Sequence, residues 1–175
     1  LEDAIKYSTD GAAAAFIAEP AQGGGGNIFP PKGYFREIKK ILDKYGVLFI
    51  ADEIITGVGR TGRLFGMEHY DVKPDIMTLS KTLGGGMPIS ALMASDDISD
   101  SFEPGDYEST YAGNPLCCAI ALACLDILFE EKLVERSRRL GDYLLKALKD
   151  LAEEHEIIGD VEGKGLLIGV ELVKD

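Results

Sequence analysis

Four short, mainly apolar runs set the strongest limit on how this chain can fold. None of them alternates regularly between apolar and polar residues, so each run is apolar on both faces. Strands of this kind are typical of a parallel sheet that helices cover on both sides. We therefore predict an α/β fold with a mostly parallel sheet. The runs are AAAFIA at 13–18, VLFIA at 47–51, IMTL at 76–79 and ALMA at 91–94.

Helical patterns follow or separate these runs. In PKGYFREIKKILDKYG, between the first two runs, apolar residues recur at helical spacing and Gly46 can end the helix. Strand, helix and strand in this order predict a β-α-β unit. Further on, Asn114 can cap a helix that begins with Pro115, and LCCAIALACLDILF predicts that this helix is mostly buried.

The last third of the chain has a different pattern. Leucines line one face of an amphipathic helix from Leu133 to about Glu154, and GDVEGKGLLIGVELV then predicts strands joined by glycine turns. We assign residues 1–130 to a large α/β domain and residues 131–175 to the start of a small α+β domain. Because Leu1 is not a methionine and the chain stops after a strand-like run, we expect a piece of a larger protein.

Composition disfavours several classes of partner. The net charge of −12 argues against nucleic acid and anionic membranes, which bind clustered Lys and Arg. No apolar run approaches the roughly 20 residues of a membrane helix. The three cysteines are bunched in one segment and the two histidines share no motif, so we expect neither a disulfide framework nor a metal site. A cytoplasmic protein fits this composition.

Two adjacent acids end the second apolar run. Side chains alternate along a strand, so Asp52 and Glu53 cannot both point the same way. Open parallel sheets bind ligands at the carboxyl ends of their strands, which makes one of these acids a candidate for facing a ligand. The alternative is that both acids cap the following loop.

A lysine stands in the corresponding place after the third run. Lys81 is followed by three glycines, Gly84 to Gly86, where the backbone can approach a ligand closely. Burial favours the neutral, nucleophilic form of a lysine, as Schiff-base formation requires. The alternative is a solvated loop lysine. Taken with Asp52, however, Lys81 completes the pair that pyridoxal phosphate needs: an amine for its aldehyde and a carboxylate for its ring nitrogen.

Longer motifs make the chain resemble a known family. FIAEPAQGGGG, ADEIITGVGRTGRLF, PDIMTLSKTLGGGMP and STYAGNPLCCAIALACL are similar, in order and spacing, to signatures of the class III (ornithine/GABA-type) pyridoxal-phosphate-dependent aminotransferases of fold type I. The resemblance runs along nearly all 175 residues. TLSKTLGGGMP and GDVEGKGLLIGVELVKD also resemble dialkylglycine decarboxylase, a member of the same family.

The resemblance implies a role for individual residues. Lys81 matches the Schiff-base lysine, and Asp52 matches the partner of the pyridine nitrogen. Ile54 is expected to pack against the ring, and Glu19 matches a glutamate beside the substrate. Thr110 matches the threonine that binds the cofactor phosphate of the other subunit, which implies a homodimer with shared active sites.

The implied activity is transfer of an amino group between an amino acid or ω-amine and a 2-oxo acid. The family fold also implies that the ALMA strand is antiparallel. Ile55 departs from the family, since many members have Gln there. The family's phosphate loop, ring-stacking aromatic and substrate-binding arginine are not in this sequence. Two alternatives stay open: decarboxylation-dependent transamination, and an incomplete piece with a folding or dimerisation role.

Overall fold

The computed structural model describes residues 1–174, and its largest sheet is built from the four apolar runs. The three parallel strands and the antiparallel fourth confirm the predicted sheet. A four-residue helix, α2 (Asp96–Ser99), follows the fourth strand. In spatial order, which is also chain order, the strands are β1 (Ala15–Ala18), β2 (Leu48–Asp52), β3 (Ile76–Leu79) and β4 (Ala91–Ala94).

The predicted helix between the first two strands is α1 (Tyr34–Tyr45). Phe35 and Leu42 on its inner face are buried in one apolar cluster with Phe49 of β2. Burial of each such side chain stabilises the fold by roughly 1.5–3 kcal/mol. Gly46 ends the helix in the left-handed conformation, with φ of 65°, as a C-terminal glycine cap requires.

A helix covers one face of the four-stranded sheet, and the other face is exposed. Phe49 and Ala51 point to the face that α1 covers and are fully buried. Asp52 points to the opposite face, where Ile17 is 58% exposed and Leu92 is 62% exposed. The expectation of helices on both faces is therefore wrong within residues 1–174, whose helices pack against one face of the sheet. We call the other the open face; its residues include Ile17, Ile50, Asp52, Thr78 and Leu92, which are in register across the four strands.

Two helices follow in the second half, α3 (Pro115–Glu130) and α4 (Leu133–Glu154). The side chain of Asn114 accepts hydrogen bonds from the N–H groups of Leu116 and Cys117, which confirms the predicted cap. The prediction that α3 is mostly buried is wrong, since Leu122 and Phe129 are 64% and 58% exposed. Within residues 1–174, α3 packs against α4 and the turn after β3, and its Ala121 and Leu128 share an apolar cluster with Val58 of the loop after β2. Among the described residues, no helix has the length and apolarity needed to cross a membrane.

The chain ends in an antiparallel hairpin, β5 (Ile158–Lys164) and β6 (Leu167–Leu172), which confirms the predicted strands and packs against α4. Hydrogen bonds tie the hairpin to the first half of the chain: Asn27 Nδ2 donates to the carbonyl of Ile168 at 2.9 Å, and the N–H of Leu166 donates to the carbonyl of Arg60 at 3.0 Å. Gly141 of α4 lies so close to the hairpin turn that a Cβ there would stand 2.0 Å from the carbonyl oxygen of Gly165.

Candidate active site

The candidate residues gather at one edge of the parallel strands. Glu19 directly follows β1, Asp52 is the last residue of β2, and Lys81 comes two residues after β3. Asp52 is in register with Thr78 of β3. Because β1, β2 and β3 are parallel, their carboxyl ends and these three residues lie at the same edge of the sheet. This is the edge at which open α/β sheets bind ligands.

Asp52 is half-buried, and only one of its two carboxylate oxygens is hydrogen-bonded by residues 1–174. Its Oδ1 accepts hydrogen bonds from the N–H of Ile54 at 3.1 Å and from Thr78 Oγ1 at 3.3 Å. Its Oδ2 accepts no hydrogen bond from the chain over residues 1–174. The carboxylate is therefore held from one side by its own loop and by the next strand, and its second oxygen can accept from a ligand.

Glu53 points away from Asp52 and serves the protein interior. It is 1% exposed, and its oxygens accept hydrogen bonds from Thr56 Oγ1 at 2.5 Å and from the N–H groups of Gly66 and Met67 at 2.8 Å each. Burial raises the pKa of the Glu53 carboxyl, against the opposing effect of these three hydrogen bonds. Glu53 thus fastens the loop after β2 to the one-turn helix Gly66–His69.

Glu19 and Asp52 line the same open cleft, which also includes Ile17, Gln22 and Ile28. Glu19 Oε2 accepts a hydrogen bond from the N–H of Gly23 at 2.9 Å. The cleft thus contains two carboxylates from neighbouring strand ends, and the sequence-predicted substrate-side and ring-nitrogen residues are brought together.

Lys81 begins the one-turn helix Lys81–Gly84. Its side chain is exposed, so the burial assumed in the sequence argument is wrong for this chain: β3 ends before it, and Leu83 rather than Lys81 occupies the apolar interior. The backbone of Lys81 has φ of 41°, in the left-handed region that residues with a Cβ seldom adopt. Strained backbone of this kind clusters at functional sites.

Three predicted residues, Lys81, Ile54 and Thr110, are not among those that line this cleft. Thr110 is in the exposed loop 101–114, where it lines an open depression with Tyr107, Glu108 and Ser109. Ile54 is half-buried and contributes its N–H to Asp52.

The structure adds two contacts that sequence reasoning missed. Thr78 hydrogen-bonds Asp52, and strand register was the signal that could have paired them. Ile55 packs against the glycine segment after Glu19, so that a Cβ on Gly23 would lie 2.4 Å from Ile55 Cδ1. Gly23 therefore allows Ile55 to pack closely beside Glu19, which its place in a run of glycines did not reveal.

A mostly parallel sheet with charged residues at its carboxyl edge is typical of the class of α/β proteins that bind ligands at this edge. Sequence comparison narrows this class to one family. The chain belongs to the aminotransferase class-III family, whose model matches residues 1–175. This family is pyridoxal-phosphate dependent.

Individual relatives agree with this assignment. The chain is 52% identical over 176 residues to ornithine aminotransferase 1 of Staphylococcus aureus, covering all of this chain and 43% of that protein. It is 50% identical over 166 residues to a leucine/methionine racemase of Thermococcus litoralis, covering 95% of this chain and 37% of the racemase. The chain thus spans about two fifths of the length of these relatives.

A solved structure supports the fold. The ornithine aminotransferase of Toxoplasma gondii, crystallised with oxidised glutathione and with pyridoxal phosphate at partial occupancy in its active site, superposes with a TM-score of 0.92 at 42% identity. The match covers 98% of this chain and 40% of that chain. The expected fold type is confirmed.

Proposed function

We propose that the full-length protein is a pyridoxal-phosphate-dependent aminotransferase that moves an amino group between an amino acid or ω-amine and a 2-oxo acid. The observation that carries this proposal is the placement of Asp52 and Lys81 at the carboxyl ends of adjacent parallel strands, on a chain of the class III family. When bound, the cofactor supplies the electron sink for bond breaking at the substrate's α-carbon.

The donors and acceptors of this chain fit that cofactor. Oδ2 of Asp52 is free to accept a hydrogen bond from a ring N–H, while Ile54 and Thr78 hold Oδ1. A carboxylate so placed favours the protonated ring by a charge-assisted bond worth roughly 1.5–3 kcal/mol. The exposed Nζ of Lys81 is accessible for covalent attachment, and once released it can carry a proton from the substrate.

Glu19 and Ile54 complete our assignment on this chain. We assign Glu19 to the substrate side because its carboxylate lines the cleft together with Asp52. Its bond to the N–H of Gly23 fixes one oxygen and leaves the other to meet a polar group of the substrate. Ile54 is assigned to one face of the ring on the strength of its place directly after Asp52 and Glu53.

The assembly is part of the proposal. Thr110 lies on an exposed loop apart from the Asp52 cleft, which suits a residue that binds the cofactor phosphate of a second subunit. We therefore propose a homodimer with shared active sites. We also propose that the protein is cytoplasmic, which its composition fits. The proposed domain boundary near residue 130 coincides with the short break between α3 and α4.

Amino transfer is tested on the full-length protein loaded with pyridoxal phosphate. Incubation with a panel of amino acids and ω-amines, each with 2-oxoglutarate, should produce glutamate with at least one donor, and Lys81→Ala should abolish it. A full-length, cofactor-loaded protein that forms no glutamate or alanine from any donor, with 2-oxoglutarate or pyruvate as acceptor, would refute the proposal.

Racemisation is a second candidate, favoured by the 50% identity to the Thermococcus racemase. Both reactions begin with removal of the α-proton, and they differ in where a proton is returned. Incubating a single enantiomer of leucine or methionine without any oxo acid separates them. Chiral chromatography would detect the opposite enantiomer for a racemase and none for an aminotransferase. The local similarity to dialkylglycine decarboxylase stays a prediction.

A further inference from the structure

One residue outside the proposed site has an unusual backbone. Val58 has φ of 55°, in the left-handed region, and is 6% exposed. A β-branched side chain is a rare occupant of this region, because its branches crowd the backbone. The sequence places glycine on either side, at Gly57 and Gly59, yet keeps valine at the centre. Backbone strain of this kind persists only where the surrounding structure holds the residue in place, so the packing of the Val58 side chain is informative.

The side chain of Val58 lies in the cluster beneath the lysine turn. Val58, Leu79 and Leu83 belong to one buried apolar cluster. Leu79 ends β3 and Leu83 is the third residue of the turn Lys81–Gly84, so the cluster lies before and after Lys81 in the chain. The loop packs closely against β3, because a Cβ on Gly57 would stand 2.7 Å from the carbonyl oxygen of Glu53 and 3.0 Å from Leu79 Cδ2.

The lysine turn itself is fixed from its other side. Ser80 Oγ donates a hydrogen bond to the carbonyl of Ile89 at 3.0 Å, and the N–H of Leu83 donates to the carbonyl of Ser80 at 3.0 Å. A Cβ on Gly84 would lie 2.7 Å from Ile89 Cγ2. Lys81 is thus the exposed residue of a turn whose other residues are bonded or packed, and its own backbone is left-handed.

We propose that Val58 is a positioning residue for Lys81. Its left-handed backbone directs the side chain into the cluster with Leu79 and Leu83, and this support keeps the turn in the conformation that presents the Lys81 amine at the sheet edge. The loop after Asp52 and the turn of Lys81 are thereby coupled. This inference rests on the proposed function, in which Lys81 binds the cofactor.

Truncation of Val58 separates positioning from stability. Val58→Ala removes the side chain and keeps the strained backbone, whereas Val58→Gly removes the side chain and also relieves the strain. The glycine variant should therefore be the more stable of the two. Val58→Ile is the conservative rescue. Asp10→Ala is the matched control, since Asp10 has φ of 51° but is exposed and outside the cluster.

The measured quantity is the rate at which cofactor-free, full-length protein attaches pyridoxal phosphate to Lys81, quenched with borohydride and counted by peptide mass spectrometry. The pH midpoint of the bound cofactor's absorbance gives a second readout, and the thermal midpoint records stability. We expect both V58A and V58G to attach the cofactor roughly tenfold or more slowly and to shift the pH midpoint. V58I and D10A should stay within roughly twofold of the natural protein.

The outcomes are distinguishable. Attachment rates in V58A and V58G equal to that of the natural protein would overturn the proposal. A rate for V58G between those of V58A and the natural protein, with thermal midpoints in the same order, would also overturn it, because the rate would then follow stability alone. Absence of cofactor on Lys81 in the natural protein would instead refute the proposed function itself.

Discussion

The loop after β2 and the turn after β3 end neighbouring parallel strands at one edge of the sheet, yet they hold their charged residues in opposite ways. In the loop, Glu53 is buried and both of its oxygens are hydrogen-bonded. In the turn, Lys81 is exposed on a left-handed backbone. The first arrangement uses a charge to fix structure, and the second leaves an amine accessible at a conformational cost.

Asp52 stands between these extremes. Glu53 immediately follows it and fixes the loop, and Thr78, three residues before Lys81, binds its Oδ1. Oδ1 of Asp52 thus accepts hydrogen bonds from the protein, and Oδ2 can accept one from a ligand. Both acids have similar intrinsic chemistry, and they differ in how many of their oxygens the fold leaves without a hydrogen bond among residues 1–174.

The largest expected effect is the loss of Glu53. In the full-length protein, Glu53→Ala leaves the buried N–H groups of Gly66 and Met67 without acceptors, at about 1–3 kcal/mol each, so the free energy of unfolding should fall by roughly 3 kcal/mol or more. Glu68→Ala is the matched control, because Glu68 accepts from the N–H of Phe65 at the exposed side of the same helical turn. Urea unfolding compares the two, and equal destabilisation would show that Glu53 has no special structural role.

Loss of charge at Asp52 should act on turnover with little change in folding. Asp52→Asn removes a charge-assisted bond, which predicts at least a roughly tenfold to hundredfold fall in kcat while the cofactor stays bound. Asp71→Asn, at an exposed surface aspartate, should leave kcat unchanged. Steady-state kinetics and cofactor absorbance measure both quantities. Turnover near that of the natural protein in D52N would contradict the role of Asp52.

Because the backbone of Lys81 is left-handed, glycine should be a more stable substitution than alanine at this position, the reverse of the usual order. Glycine normally destabilises a folded chain relative to alanine, but at φ of 41° it avoids a left-handed penalty of roughly 1–2 kcal/mol. Lys81→Gly should therefore be more stable than Lys81→Ala by about 1 kcal/mol. At Lys73, an exposed lysine outside the left-handed region, glycine should be the less stable substitution. Thermal or urea unfolding measures the stability of the four variants. If the glycine variant were the less stable one at both lysines, the backbone of Lys81 would not be strained.

The smallest effect concerns pH and His69, in the helical turn that Glu53 fastens. Burial, and then the charge of Lys164, lower the pKa of His69 from its ordinary value of 6.5. Below that value the unfolded chain takes up a proton that folded His69 resists, so stability should fall as the pH drops from 7 towards 5. His69→Gln should lessen this decline in a urea midpoint measured against pH. An unchanged slope would show that His69 does not contribute to it.

The sequence predicted most of the secondary structure because its signals are local. Helical periodicity located α1, and the Asn114–Pro115 pair located the start of α3. Burial was harder to predict. The open face of the sheet and the exposed side of α3 carry residues as apolar as those inside, and whether such residues are buried depends on what packs against them.

The site features that the sequence did not predict depend on backbone conformation and on strand register. Alternation predicted that Asp52 and Glu53 diverge, but which of them turns inward depends on the loop that closes over Glu53. Neither valine nor lysine has a local preference for left-handed backbone, so the strain at Val58 and Lys81 could not be inferred from residue type. Pairing of Thr78 with Asp52 required the register of β2 and β3.

The central claim is that the exposed amine of Lys81, a residue with a left-handed backbone, is the one that binds the cofactor. Borohydride reduction of the full-length protein loaded with pyridoxal phosphate, followed by proteolysis and mass spectrometry, tests it directly. The account predicts the cofactor on the peptide containing Lys81, and none on that peptide in Lys81→Ala. Specific labelling of Lys73 or Lys164, or covalently bound cofactor persisting in Lys81→Ala, would contradict it.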